Sequence, residues 1–545
     1  MWLWADNQLA SSTVIRQLTT SKELAIWIKC QMVHAQSNIP PGSDPPHLYA
    51  IGLFFNYRML CAETPDSRRS AIGALDLSLD GAIQMNMITR IRRTLAVFLV
   101  ALILAPAFLR AADVSQMSAR SVPDWLRDGT IYEIFPRDFS AAGDINGVTA
   151  QLDRLKDLGV TILWTMPIQP IGEQGRKGAF GSPYSIRDYY AVDPNYGTLD
   201  DYKRLVSEAH KRGLKVIMDL VANHTAWDSV MMTNKGFYKQ DAAGHVIPPV
   251  PEWTDVAGLN YANPQLRTYM ITMLKYWISA CDVDGFRCDV AYMVPTDFWD
   301  QVRSELTKIK PDIMMLAEGS KPELLLNAFD IDYSWPLLGT VNDVMERGAP
   351  ASNLRASWEE SVRQFPTNSL HMRITDDHDE ARAVSRYGVR GALAASALMF
   401  SLDGVPLLYN GMEVGDATES GDPALFDKLP IFWHPKERPP LTDIYRDLIQ
   451  LRKQYAPFRN NRVIWLRNSD EADLVTLMRL DDNDEFVVVI NFSNRPVIGQ
   501  VEVQNSEEFK QVSISGMAKP PGDDFPLFHL GAYEWRIYHR SVTHQ

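Results

Sequence analysis

The chain has 545 residues, 46% apolar and 22% charged, enough for a large core and one smaller domain. Its net charge of −13 and the absence of a basic stripe with interleaved aromatics exclude a phosphate-backbone partner, so no nucleic acid is expected.

Residues 1–84 show no sustained periodicity, repeat or chemical motif, and are expected to be a leader from a start codon placed too early, or an extension. Residues 85–111 have the layout of a secretory signal peptide: basic Arg90, Arg92 and Arg93, an apolar run over 95–104, then Ala105-Pro106-Ala107. Cleavage after Ala107 or Ala111 gives an exported protein, periplasmic or secreted, and the apolar run is too short for a stable membrane span. The competing expectation is a cytoplasmic extension with 95–109 as an uncleaved anchor. Cys30 and Cys61 precede the signal segment. Cys281 and Cys288 follow it, with neither bridge nor metal spacing, and are expected to be buried apolar residues.

From Thr130 short β-branched runs alternate with helical stretches. Strands are predicted over 131–135, 161–165, 215–220, 285–290, 313–317, 329–333, 371–375 and 406–409, with amphipathic helices such as 147–158, 199–212, 264–280 and 295–308 between them. Eight such units close as a (β/α)8 barrel, an α/β fold, over 122–456. After the third strand, the insert 225–260 is long for a βα loop and carries Trp227, Tyr238 and Trp253, which suit the apolar faces of sugar rings and are expected to wall the site. Past 457, alternating runs at 474–478, 485–490 and 532–538, separated by Asn/Asp/Gly turns, predict a C-terminal antiparallel β-sandwich domain over 457–541.

Four of the predicted strands end in acids: Asp219-Leu-Val-Ala-Asn-His224, Gly285-Phe-Arg-Cys-Asp289, Leu316-Ala-Glu318 and Asp376-Asp-His-Asp379. Acids at strand C-termini lie where a barrel enzyme works. Asp289 and Glu318 end consecutive strands, as the nucleophile and the acid of a retaining glycosidase must. Arg287 shares the face of Asp289 and is expected to keep it ionised, while the apolar run before Glu318 is expected to keep that carboxyl protonated. Asp379, His378 and His224 are placed to hold sugar hydroxyls.

These segments resemble the four sequence regions of the alpha-amylase family of glycoside hydrolases, over roughly residues 122–540. The resemblance implies Asp289 as nucleophile, Glu318 as proton donor and Asp379 as transition-state stabiliser, with Arg287, His224 and His378 in the adjoining sugar subsite. Tyr184, in Ser182-Pro-Tyr-Ser, matches the tyrosine on which the family stacks that sugar. The resemblance further implies an α-glucan substrate, cleavage of α-1,4-glucosidic bonds in starch or maltodextrins, no cofactor for the chemistry, and a structural calcium at Asn223 with Asp255 as one partner acid.

Two positions depart from the pattern. Asp377 stands where the family has Asn, and is expected to face away from the site. Val290-Ala-Tyr-Met293 replaces the Lys-His pair that binds the leaving-group side in many alpha-amylases. That beginning, with the intermediate fifth region 256–260, is closer to enzymes cutting maltodextrins, cyclodextrins or pullulan. The alternative reading is therefore a cyclomaltodextrinase- or neopullulanase-like hydrolase or a transglycosylase, and the alternative of another class is a non-catalytic glycan- or partner-binding barrel.

Overall fold

The computed structural model describes residues 113–418, 421, 424–433, 441–517 and 525–542; the expected leader and signal segment, 1–111, lie outside the described residues. The strands run β1 (Ile131–Ile134), β2 (Ile162–Thr165) and β3 (Lys215–Leu220), then a short ribbon of β4 (His224–Ala226) and β5 (Val256–Gly258). They continue with β6 (Gly285–Cys288), β7 (Met314–Ala317), β8 (Ile331–Tyr333), β9 (His371–Arg373) and β10 (Val405–Tyr409). All eight strands expected from the sequence close into one parallel barrel, in the order β1-β10-β9-β8-β7-β6-β3-β2. The ribbon pairs His224 with Gly258 and Ala226 with Val256, tying the two ends of the insert together.

Parity along each strand decides which side chains reach the barrel mouth. Ile131, Ile162, Trp164, Ile217, Met314, Leu316 and Ile331 fill the barrel interior, while Leu163, Val216, Phe286 and Met315 point outward and pack against the helices. Continuing the inward parity toward the C-terminal ends gives Glu133, Asp219, Arg287, Asp289 and Glu318.

Two of the long helices begin at side-chain caps. Thr198 and Asp201 form a capping box at the start of Leu199–Lys211, which buries Tyr202, Leu205, Val206 and Ala209 at helical spacing. Asn263 caps Pro264–Cys281, with proline at the first position, where its missing N–H costs nothing. The single helix expected over 147–158 is instead two, Ile145–Thr149 and Leu152–Leu158, with Gln151 outside helical geometry between them. Thr149 Oγ1 donates to Ile145 O at 2.9 Å, a local bond that competes with helix continuation.

The C-terminal part is antiparallel. β11 (Val463–Trp465), β12 (Leu474–Leu480), β13 (Asp484–Asn491), β15 (Lys510–Gln511) and β17 (Trp535–Ser541) form a five-stranded sheet in the order β11-β12-β13-β17-β15, beside a pair, β14 (Val497–Gln500) and β16 (Leu527–Leu530). Buried Arg479 of β12 donates to Ser401 O at 2.9 Å, at the C-terminus of the helix Ala383–Ser401 that leads into β10. The β domain therefore docks at the end of the barrel away from the mouth. Cys281 and Cys288 are both buried free thiols, as expected. Among the described residues no helix is long and apolar enough to cross a membrane.

Candidate active site

The strand ends open into a cavity of about 400 Å³ lined by Tyr184, His224, Trp253, Asp289, Glu318, His378 and Asp379, together with Lys177, Tyr292 and Phe426. The structure thus brings together seven of the residues singled out in the sequence, and Arg287 lies beneath them.

Arg287 is fully buried and bridges three carboxylates: it donates to Asp219 Oδ1 at 3.1 Å, to Asp289 Oδ1 at 3.2 Å and to Glu318 Oε2 at 2.7 Å. Asp219 also accepts from Trp164 Nε1 at 3.1 Å and from the Tyr184 hydroxyl at 3.2 Å. Main-chain bonds fix the acids, Asp289 N to Leu220 O at 2.9 Å and Glu318 N to Cys288 O at 3.0 Å. Val290, next after Asp289, is held at φ 37° and ψ 46°. A β-branched residue is disfavoured in that left-handed region. Its N–H donates to Glu318 Oε2 at 2.8 Å, which gives the strain a local return.

Two expectations about these acids are corrected. Glu318 does not sit against an apolar wall: Met315 and Ala317 point outward to the helices, and Glu318 Oε2 accepts from both Arg287 and Val290. Nor does Arg287 dominate the charge state of Asp289. Burial, and next the neighbouring Glu318 charge, push the Asp289 carboxyl well above the usual range, because Arg287 divides its charge among three acids. Asp289 Oδ2 has no hydrogen-bond partner and lies 4.0 Å from His224 Nε2.

The two histidines differ in charge. Burial pushes His224 down to about 4, so it is neutral at pH 7. Burial acts the same way on His378, but the Asp379 and Glu133 carboxylates outweigh it and hold its proton well above the ordinary imidazole range. His378 Nδ1 lies 2.5 Å from Glu133 Oε1, while Nε2 lies 2.7 Å from the Tyr184 hydroxyl and 3.2 Å from Asp379 Oδ2. The Tyr184 ring stacks on His378, with centroids 5.3 Å apart. Burial also works to raise Asp379, yet the charge and hydrogen bond of His378 prevail and hold it below the usual carboxylate range.

Asp377 does not face away. It is fully buried, and its Oδ1 accepts from Asp379 N at 3.0 Å and Glu380 N at 3.1 Å, shaping the turn that carries Asp379. Of the insert aromatics, only Trp253 lines the cavity, its ring 5.5 Å from His224. Trp227 donates to Thr254 O at 2.9 Å, and Tyr238 is buried with its hydroxyl 3.0 Å from Thr225 Oγ1, so both pack the insert.

The residues present do not fit a calcium ion at Asn223. Its side-chain nitrogen faces His224 Nδ1 at 3.5 Å and Met293 Sδ at 3.9 Å, and the expected partner Asp255 pairs with the Lys177 ammonium at 2.9 Å. A hard cation needs converging oxygens.

Sequence reasoning missed Glu133, Lys177, Tyr292 and Phe426. Inward parity on β1 was a usable signal for Glu133; Lys177 reaches the cavity on a loop, and Tyr292 and Phe426 on single 3-10 turns, too short for any periodicity to encode.

The alpha amylase catalytic-domain model matches residues 119–243 and 252–438. Among curated relatives, a cyclomaltodextrinase of Geobacillus thermopakistaniensis is 27% identical over 71% of this chain and 72% of its own length. The alpha-amylase MalA of Haloarcula japonica is 28% identical over 71% of this chain, which spans 58% of that protein's length. The crystal structure of an alpha-amylase from Lactobacillus plantarum superposes with a TM-score of 0.69 at 31% identity, covering 76% of this chain and 100% of the other. With the barrel, the acids at its mouth and the family model in agreement, the chain belongs to the alpha-amylase family of glycoside hydrolases.

Proposed function

We propose that the chain hydrolyses α-1,4-glucosidic bonds in short maltodextrins and cyclodextrins by a retaining double displacement, and transfers the glycosyl unit to a sugar acceptor when one is present. The observation that carries this reading is the way Arg287 engages Asp289 Oδ1 and Glu318 Oε2. Asp289 Oδ2 is left without a hydrogen-bond partner, and so is Glu318 Oε1 among the described residues.

In the first step the one proton of the acid pair stands on Glu318 Oε1 and Asp289 is ionised; Asp289 Oδ2 attacks the anomeric carbon, and Glu318 gives that proton to the departing glycosidic oxygen. A glycosyl ester on Asp289 results. In the second step Glu318 takes a proton from water, or from a sugar hydroxyl, as that oxygen attacks the same carbon and the ester bond breaks. His224, His378 and Asp379 bind the ring hydroxyls, and Asp379 bonds them more tightly as the ring distorts toward the oxocarbenium-like transition state.

A preference for short or cyclic substrates over plain starch is supported by three features. The relative named cyclomaltodextrinase is matched over most of its length. The Lys177–Asp255 pair joins the loop after β2 to the insert at the edge of the cavity. On the flank beside Glu318, the part-exposed Tyr292 ring packs over Gly319, and Trp253 stands elsewhere on the wall. Aromatic faces suit a sugar acceptor, which favours transfer over hydrolysis.

The test compares kcat/KM for β-cyclodextrin, maltoheptaose, pullulan and soluble starch. Cyclodextrin and maltoheptaose are expected to exceed starch by about tenfold, a difference of ~1.4 kcal/mol in transition-state binding. Starch as the best substrate would return the reading to a plain alpha-amylase, and no release from any of them would leave a glycan-binding barrel.

A further inference from the structure

We propose that Glu133 is a positioning residue of this site, which fixes His378 as an imidazolium aimed at the bound sugar and at Asp379. Glu133 sits on the inward parity of β1 and is fully buried. Its Oε1 lies 2.5 Å from His378 Nδ1, and its Oε2 is buried with no hydrogen-bond partner. A buried carboxylate with one oxygen unsatisfied is a costly filler, tolerated only where the charge itself is needed.

The geometry of the ring says what the charge is for. An amide at position 133 could face Nδ1 in either orientation and would leave the ring neutral, with a single proton. A carboxylate demands that Nδ1 carry a proton, and both partners of Nε2 are acceptors, Asp379 Oδ2 and a Tyr184 oxygen whose own hydrogen goes to Asp219, so Nε2 carries the second proton. The Tyr184 ring stacks on one face of the imidazole and Trp164 meets it edge-on at 5.8 Å, so the ring cannot turn away. A charged donor bonds a sugar hydroxyl more strongly than a neutral one and keeps Asp379 ionised.

Charged and titratable groups face the ring from several elements, among them Asp138 on the helix Pro136–Phe139, Tyr409 on β10 and Arg382 just beyond the ring's own loop. Glu133 stands on β1, Tyr184 on the loop after β2, Asp219 on β3 and Arg287 on β6, with Asp377 and Asp379 on the ring's own loop. Of the two other cations, Arg287 is already shared among Asp219, Asp289 and Glu318, and Arg382 donates to Asn410 O at 2.8 Å and lies 3.5 Å from Asp416. Burial pushes the Glu133 carboxyl up, and the charge and hydrogen bond of His378 pull it only part of the way back.

The proposal rests on the glycosidase reading of the site, and it is tested by two readouts that fail separately. In Glu133→Gln, kcat/KM for maltoheptaose is expected to fall by about tenfold or more, with its alkaline limb displaced to lower pH by about one unit; Glu133→Asp, which keeps the charge, is expected to restore the limb though not the full rate. An unchanged pH profile with only a lowered Tm would make Glu133 a structural residue and overturn the proposal. The second readout needs no turnover and no variant of Glu133. In the full chain labelled with ¹³C-histidine, the signal lost in His378→Gln should keep its imidazolium shift at pH 8, and a neutral ring at pH 7 would overturn the proposal even if Glu133→Gln fails to fold.

Discussion

Arg287 reaches Glu318 at 2.7 Å, closer than the 3.2 Å that separates it from Asp289, its neighbour two residues along the same strand. The guanidinium fork suits this role, because a planar group with several fixed donors can serve acids on three strands at once. A lysine at 287 keeps the charge but has a single point of attachment. Arg287→Lys is therefore expected to lower kcat by about a hundredfold and to destabilise the fold by about 3 kcal/mol, through carboxylates left buried without a donor. Paired measurements of kcat and of denaturant unfolding check this; a variant with native stability and rate would show that the bridge is incidental.

His224 gives the fold an acid-sensitive point. An unfolded histidine takes up its proton near 6.5, whereas the folded one waits until about 4. Between these values the unfolded state binds more protons, so stability falls as pH drops through that window. The loss amounts to roughly 3 kcal/mol across the window. His224→Gln should flatten the dependence of unfolding free energy on pH between 6.5 and 4, and an unchanged slope would assign the acid sensitivity elsewhere.

At Asp377 the sign is opposite. Burial holds the carboxyl well above the usual range, so the folded state retains a proton that the unfolded chain releases, and stability is lost as pH rises past the ordinary carboxylate range. The Oδ1 atom accepts from Asp379 N and Glu380 N, a task an amide oxygen performs equally well. Asp377→Asn is expected to keep kcat within about threefold, a barrier change of ~0.6 kcal/mol, and to raise Tm more at pH 8 than at pH 4. A Tm gain that is equal at both pH values would contradict the account.

Lys177 places an ammonium on the acid that had been a calcium candidate. Incubation with EDTA is accordingly expected to leave both Tm and activity unchanged. Lys177→Met should raise the ratio of starch to cyclodextrin cleavage by about threefold, by freeing the loop after β2 from the insert. A large drop in Tm with chelator would restore a metal site that these side chains do not suggest.

The barrel was legible because short strand-like runs alternate with helical stretches along the chain; even the three-residue strand Ile331–Tyr333 falls inside its expected run. Two of the acids at the mouth, Asp289 and Glu318, were legible for a related reason, since each lies one residue beyond a strand end, where parity fixes direction. What was not legible depended on distance between elements. The apolar run before Glu318 suggested an apolar setting, yet alternate residues of that run face the other way. Asp377 is expected from sequence to face away from the site because nothing local reveals that the turn after β9 is buried. Lys177 and Phe426, on loops far apart in sequence, meet only in the folded cavity.

The most direct test of the central claim is to trap the glycosyl ester. Glu318→Gln is expected to lose several orders of magnitude in rate on natural substrates, yet to react with an activated α-maltosyl fluoride, whose leaving group needs no proton. Mass spectrometry of the digested protein should then find one glycosyl unit on the peptide that contains Asp289. A labelled peptide elsewhere, or prompt release of the β-anomer with no labelled peptide, would contradict a retaining mechanism with Asp289 as nucleophile.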